Sequence, residues 1–273
     1  MYAKTTNVNI ALDPNFAKGQ ALDNMKKIII KEENYADFLK QQFPNNPENY
    51  ILFLDKINSQ LSYPHLKKIL GKGSMGIAYL LADNKTVVKI TKDESEAVAS
   101  LNLINKKNNY IVDIYDVYKV SSPKGSNDVL YVIYQEYIQQ AGKLTGLFKV
   151  IGYLISYFAH SFYPFRPVIS LTPDQEEQII KSVPFINSSE QEKDVNIMSA
   201  RKQIGNRKLS ALVIRFWKNI LDELAQNNIV YRDFWLGNFG KKNNNLCLID
   251  LGFSKSQPQN IKTITLDERR RTL

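Results

Sequence analysis

Ile-Val-Tyr-Arg-Asp-Phe-Trp-Leu-Gly-Asn-Phe-Gly-Lys-Lys-Asn-Asn-Asn-Leu-Cys-Leu-Ile-Asp-Leu-Gly, residues 229–252, carries two acids and an amide at spacings that suggest one site. Asp233 and Asn238 lie five apart on a turn-rich segment, and Asp250 follows twelve residues later. Between them Leu246-Cys247-Leu248-Ile249 reads as a buried strand, and Asn243-Asn244-Asn245 reads as the turn before it. A β-hairpin with one acid before it and another after it brings both to the same mouth. One carboxylate there can receive a hydroxyl proton. The other, with the Asn oxygen, can hold a hard cation such as Mg²⁺. The plain alternative for these residues alone is a solvated Asp/Asn turn.

Upstream residues decide between the two. Leu66-Lys67-Lys68-Ile69-Leu70 reads as a strand leading into Gly71-Lys72-Gly73-Ser74-Met75-Gly76. A second apolar run, Ile77 to Leu81, follows, and after a turn comes Thr86-Val87-Val88-Lys89-Ile90. Glycines at the first, third and sixth positions let a backbone approach phosphates and aim N–H groups at them. Strands on both sides argue against the dinucleotide version of the motif, which opens a helix. Lys89, flanked by buried apolar residues, needs a charge partner. The helix beginning at Asp93 offers two candidates, Glu94 and Glu96.

Together these segments resemble the protein-kinase family. Tyr231-Arg232-Asp233 stands where that family has His-Arg-Asp, Asn238 where it has its catalytic-loop Asn, and Asp250-Leu251-Gly252 where it has Asp-Phe-Gly. The resemblance implies that Asp233 is the catalytic acid–base, that Asn238 and Asp250 bind metal, and that Lys89 holds phosphates while paired with Glu96. It also implies ATP and Mg²⁺ as cofactors, with Gly71, Gly73, Ser74 and Gly76 over the phosphates. Val129 to Ile138 resembles the strand and hinge joining two lobes, with Gln135 at the gatekeeper position and the Glu136 carbonyl and Ile138 N–H toward adenine.

The fold this implies is α+β and two-lobed, kinase-like, with a small β-rich N-lobe and a truncated, mostly helical C-lobe. Three regions follow. An N-terminal helical extension covers 1–65, where apolar residues such as Leu22, Met25, Ile28, Ile29, Tyr35, Phe38, Phe53, Leu54 and Ile57 fall at helical spacing. The N-lobe with hinge covers 66–138, and the C-lobe covers 139–273 with an insertion at about 139–205. Leu147 to Phe165 reads as a core helix, Thr172 to Asn206 as a polar loop, and Lys208 to Asn228 as a long helix delivering the chain to Tyr231.

Composition is that of an ordinary globular protein: 273 residues, 44% hydrophobic and 23% charged. The single cysteine excludes an internal disulfide, and His65 and His160 have no Cys partners at zinc-ligand spacing. The net charge of +9 is dispersed apart from the Glu268–Arg271 tail, which argues against nucleic acid as the main partner. No apolar run reaches the roughly 20 residues that a membrane span needs. Peripheral contact with an anionic membrane surface is compatible with the charge, and a cytoplasmic location is expected, the host cytoplasm for a bacterial or viral effector.

Two departures from the family bear on function. Trp235 occupies the position two past Asp233 where the family usually has a lysine or histidine, so Lys72 or Lys241 is expected to supply that charge. Only twenty-one residues follow Gly252, which suggests the truncated kinases of bacterial effectors, phages or viruses. The expected function is phosphoryl transfer by an atypical minimal Ser/Thr kinase to a partner protein. A regulatory partner would dock on the N-terminal helices or the 139–205 insertion. The alternatives are a small-molecule or lipid kinase of the same fold, nucleotide transfer to a protein, and a nucleotide-binding interaction module.

Overall fold

The computed structural model describes residues 10–12, 26–30, 50–121, 130–140, 146–164, 166–187, 195–252 and 255–256. The expected helices around Leu22 and Tyr35–Leu39, and the basic tail, lie outside these residues.

Apolar alternation in the glycine-loop region produces strands, as period-two patterning requires. They are β3 (Leu66–Lys72), β4 (Gly76–Leu81) and β5 (Thr86–Thr91), followed by β6 (Ile114–Ser121) and β7 (Leu130–Glu136). Ahead of them run β1 (Ile10–Leu12) and β2 (Lys26–Ile30), and the seven form one sheet in the order β1-β2-β6-β7-β5-β4-β3. All pairings are antiparallel except that of β2 with β6. Lys26–Ile30 is therefore a strand where the spacing of Ile28 and Ile29 suggested a helix. Three consecutive β-branched residues favour the pleat, and the edge of β6 supplies the missing backbone partners.

The helical spacing is realised in α1 (Ile51–Gln60). Tyr50, Phe53, Leu54 and Ile57 form one stripe that packs on Tyr79, Val88, Tyr118, Val132 and Tyr134 of the sheet's outer face. Asn58, fully buried, ties the two layers together. It accepts from Tyr134 Oη at 2.7 Å and donates to the Pro64 carbonyl at 3.0 Å. Asn58→Ala would orphan both groups and should cost about 1–3 kcal/mol. Urea denaturation checks this, and an unchanged midpoint would show that α1 does not stabilise the sheet through Asn58.

The opposite face of the sheet meets α2 (Glu94–Leu101), which is capped by Asp93 accepting from the N–H groups of Ser95 and Glu96. Ala97, Ala99, Val117, Tyr131 and Ile133 here merge into a larger core. That core is built from α3 (Leu147–Phe162), α4 (Pro173–Ser182), α5 (Ile197–Ile204) and α6 (Asn206–Gln226). Two of these helices lie where a polar loop was expected over Thr172 to Asn206. Thr172 and Gln175 form a reciprocal capping box with Pro173 in the first turn, and Ile179, Val183, Ile197 and Ala200 are buried. Ile180, Phe185 and Met198 of the same stretch stay exposed, so its apolar content alone does not mark the buried face.

The larger lobe is completed by short strands β8 (Gln139–Gln140), β9 (Ile229–Val230), β10 (Phe239–Lys242), β11 (Asn245–Leu248) and β12 (Lys255–Ser256). Strand β6 starts later than its sequence suggested, since Tyr110 and Val112 bond across to Leu248 of β11 instead. Among the described residues, no helix is long and apolar enough to cross a membrane.

Candidate active site

The segment from Tyr231 to Gly252 folds as expected into a turn, a hairpin and a second turn. β10 and β11 pair antiparallel from Phe239↔Leu248 to Lys242↔Asn245. The two residues at the tip, Asn243 and Asn244, have φ of 48° and 62°. Two successive left-handed residues are what a tight hairpin needs, and Asn tolerates them. Below the hairpin, Ile249 N–H donates to the Asn238 carbonyl at 2.8 Å. This bond fixes Asp250 beside the Asp233–Asn238 turn.

Burial anchors that turn. Phe234 is fully buried and packs edge-on against Trp217 and Tyr231. The Asn238 amide donates to the Asp233 carbonyl at 2.8 Å, to Asp233 Oδ2 at 2.9 Å and to Tyr231 Oη at 3.0 Å. Tyr231 in turn donates to the Asp233 carbonyl at 2.7 Å. The Tyr231 phenol thus serves as a buried bracket for the loop, a role its sequence position did not disclose. Burial raises the Asp233 carboxyl above the usual range, with the Asn238 hydrogen bond opposing.

Lys89 reaches the same place from the opposite lobe. On β5 it pairs with Ala78, and both side chains face away from the outer cluster. Its Nζ lies 2.5 Å from Glu96 Oε1 and 3.0 Å from Asp250 Oδ1. Glu94 instead accepts from Tyr131 Oη at 3.1 Å, so Glu96 is the partner of the two candidates. Lys89 and Glu96 are 13% and 3% exposed, and their environments differ in effect. Burial lowers Lys89, but the carboxylates of Glu96 and Asp250 outweigh it and raise the ammonium's pKa. Burial pushes Glu96 up to about 7 against the pull of Lys89. Asp250, also opposed by burial, is held below the usual carboxylate range by Lys89 and by the Gly252 N–H at 2.8 Å.

A cleft of about 330 Å³ opens between these groups, within the size range of ligand pockets. Gly71, Gly73, Ser74, Gly76, Lys89, Glu96, Glu136, Ile138, Asp233 and Asp250 all line it. Asn238 does not; it backs Asp233. Of the loop glycines, Gly76 has a steric reason for its identity. A Cβ there would lie 2.9 Å from the Ile90 carbonyl oxygen, whereas Gly71 faces open space.

The rear of the cleft shows two features that sequence reasoning missed. Gln135 Nε2 donates to the Ile249 carbonyl at 3.2 Å, joining the hinge strand to the residue before Asp250. The side chain of Glu136 turns away to Lys242, whose Nζ lies 2.8 Å from both Glu136 Oε2 and Asp113 Oδ2. Lys242 is only 8% exposed, so its ammonium is largely shut away from water between the two carboxylates. Nearby, a Cβ on Gly240 would lie 2.5 Å from Ile138 Cγ2 and 2.8 Å from the Gln139 carbonyl oxygen. Gly240→Ala should therefore push β10 off the hinge, cost about 1–3 kcal/mol and weaken nucleotide binding. Thermal melts with and without nucleotide test this, and an unshifted profile would refute the steric reading.

For a divalent cation the donors are oxygens. Asp233 and Tyr231 take up the Asn238 amide nitrogen, which leaves Oδ1 for a ligand. Lys89 and Gly252 take Asp250 Oδ1, which leaves Oδ2. No group of three or more His, Cys, Asp and Glu side chains that could hold a metal ion occurs among the described residues. Asp250 lines the cleft and Asn238 stands behind Asp233, an open oxygen set of the kind that suits Mg²⁺ rather than a fully caged metal.

No family model and no curated protein matches the chain. Among solved structures it is similar to the streptomycin-ATP-APH(2")-IIa ternary complex, at 16% identity and a TM-score of 0.30, over 74% of this chain and 70% of that one. In the chain itself a strand lysine paired to a helix glutamate, the aspartate of a turn backed by Asn238 and a hairpin-borne aspartate all meet at one interlobe cleft. The fold is protein-kinase-like.

Proposed function

We propose that the protein is an ATP- and Mg²⁺-dependent phosphotransferase acting on a serine or threonine hydroxyl of a partner protein. One observation carries this reading. Lys89 Nζ joins Glu96 of the small lobe to Asp250, 161 residues further along the chain. A binding module would have no need of an ammonium and two carboxylates poised at the mouth that Asp233 shares.

In this reading the N–H groups of the glycine loop and Lys89 hold the phosphates, and the hinge backbone holds the base. Glu136 N–H is already bonded to the Asp113 carbonyl at 2.9 Å, which leaves the Glu136 carbonyl and Ile138 N–H for adenine. Asn238 Oδ1 and Asp250 Oδ2 would hold Mg²⁺, which when bound offsets the phosphate charge. Asp233 orients the acceptor hydroxyl and takes its proton. The acceptor oxygen bonds to the γ-phosphorus as the bond from that phosphorus to the β–γ bridging oxygen breaks, and ADP leaves. Catalysis of this kind rests on position and charge.

Arg232, directly before Asp233, supports a protein acceptor by its likeness to the protein-kinase loop. The ring of Trp235, largely exposed beside Asp233, favours a second reading in which a ring-bearing small molecule is the acceptor. The test uses γ-labelled ATP with Mg²⁺, a basic protein substrate and a panel of small hydroxyl compounds. Label should move with wild type and not with Asp233→Ala, and the labelled species identifies the acceptor class. Equal incorporation by both proteins would end the proposal.

A further inference from the structure

The loop after Asp233 carries an aromatic ring where a cation would help the chemistry. Trp235 is 56% exposed between buried Phe234 and Leu236. Its backbone is fixed on both sides, with its N–H donating to the Asp233 carbonyl at 2.8 Å and its carbonyl accepting from Asn238 N–H at 2.9 Å. Of the two lysines expected to compensate, Lys241 is turned away, its ammonium 5.1 Å above the Phe148 ring. Lys72 lines the nucleotide cleft on the donor side.

A different element reaches the acceptor side. Helix α3 lies on the catalytic turn along Gly152, Ser156 and His160, which are spaced four apart and share one face. At Gly152 a Cβ would lie 3.1 Å from Leu236 Cδ1, so helix and turn are in contact. Two turns further along, the His160 ring packs on Trp235 with centroids 4.1 Å apart and planes at 53°. His160 Nδ1 lies 2.7 Å from the Ser156 carbonyl oxygen. A carbonyl can only accept, so Nδ1 carries a proton and Nε2 is the nitrogen left to meet a ligand. His160 acts electrostatically on Asp233, as does Arg232. Neither His160 nor Trp235 lines the nucleotide cleft, and Trp235 follows Asp233 by two residues, so the pair sits beside that acid and apart from the nucleotide-binding groups.

Resting on the phosphotransferase reading, we infer that His160 is the cationic group on the acceptor flank of Asp233. It offsets the charge of the phosphoryl group as that group reaches the acceptor oxygen, and Trp235 is its support. Phosphoryl transfer gains most from charges fixed in advance around the moving group. The indole face below the imidazole favours a positive charge at that place, because an aromatic ring attracts cations. No local pattern hints at this role, since His160 lies more than seventy residues before the loop it serves.

The test compares wild type, His160→Gln and the double variant His160→Gln/Trp235→Lys, which returns a cation from the loop side. His160→Gln should lower kcat by about tenfold or more while leaving ADP affinity and KM for ATP unchanged. The double variant should recover part of the loss, which a merely structural role for the imidazole would not allow. The second readout is calorimetric affinity for ADP with Mg²⁺ and aluminium fluoride, a mimic of the phosphoryl in flight. Its advantage over ADP alone should shrink in His160→Gln and return in the double variant. A His160→Gln kcat within about twofold of wild type, or a loss that Trp235→Lys does not recover, overturns the inference. If wild type transfers no phosphoryl, the phosphotransferase reading falls by itself. The fluoride affinities then decide, and equal values in wild type and His160→Gln overturn the role of His160.

Discussion

Lys89→Met is expected to lower phosphoryl transfer by about 10²–10³-fold while the chain remains folded. The ammonium serves two purposes. It offers charge to the phosphates, and it holds Asp250 Oδ1 at 3.0 Å, which fixes that carboxylate at the cleft. Methionine matches its length and cannot do either. The loss should fall on kcat and on nucleotide affinity together, because Asp250 is released as well. Stability should also change its dependence on pH. Burial already places Glu96 at about 7 in the presence of Lys89, against an ordinary 4.5. Without the ammonium the folded value rises further. A carboxyl raised on folding stabilises fully below its unfolded pKa, and that contribution is lost as pH climbs through the folded one. The variant should therefore be relatively more stable in mild acid than above neutrality, read as urea midpoints from pH 5 to 8. A parallel shift at all pH values would contradict the assignment of Glu96 as the buried partner.

The second large effect is expected far from the nucleotide phosphates. Lys242→Met removes the cation between Asp113 and Glu136 and strands two carboxylates at the joint of the lobes. Breaking a buried ion cluster from one side typically costs about 3–5 kcal/mol. Part of that cost should be relieved by Asp113→Asn in the same chain, since one trapped charge is then neutral. Burial lowers the Lys242 ammonium, but the two carboxylates outweigh it and raise its pKa above 10.5. Its contribution is therefore complete at neutral pH and is lost only as pH rises through that elevated value. Denaturant titration at neutral pH checks the prediction. A single variant as stable as wild type would mean that the trio is held by packing alone.

Much of the site was legible because its chemistry constrains local sequence. A glycine loop between strands, a lysine within a β-branched run and two acids around an Asn-tipped hairpin each leave a short, regular trace. They converge as the spacing implied, with Glu96 rather than Glu94 beside Lys89. What remained hidden depends on long-range partners. Lys242 looked like one of many surface lysines, and only the fold shows Asp113 and Glu136 around it. His160 interrupted an apolar run and gave no sign of meeting Trp235. Ile28 and Ile29 fit a helical stripe as well as a strand, and the open edge of β6 decided the outcome. The helices after Thr172 could have been found, since Thr172 and Gln175 have capping-box spacing ahead of Ile179 and Val183.

The β10–β11 hairpin has a bearing on which changes in gene length the site can absorb. Asn238 enters it, Asp250 leaves it, and the bond from Ile249 N–H to the Asn238 carbonyl closes its base. Side chains alternate along such a ladder, so deleting one codon within Asn245–Leu248 would turn Asp250 to the wrong face of the sheet. Extra residues between Asn243 and Asn244, at the exposed tip, would leave the base as it is. Drift in this part of the chain should therefore accumulate as insertions at the two asparagines, with the strands on either side held to a fixed count.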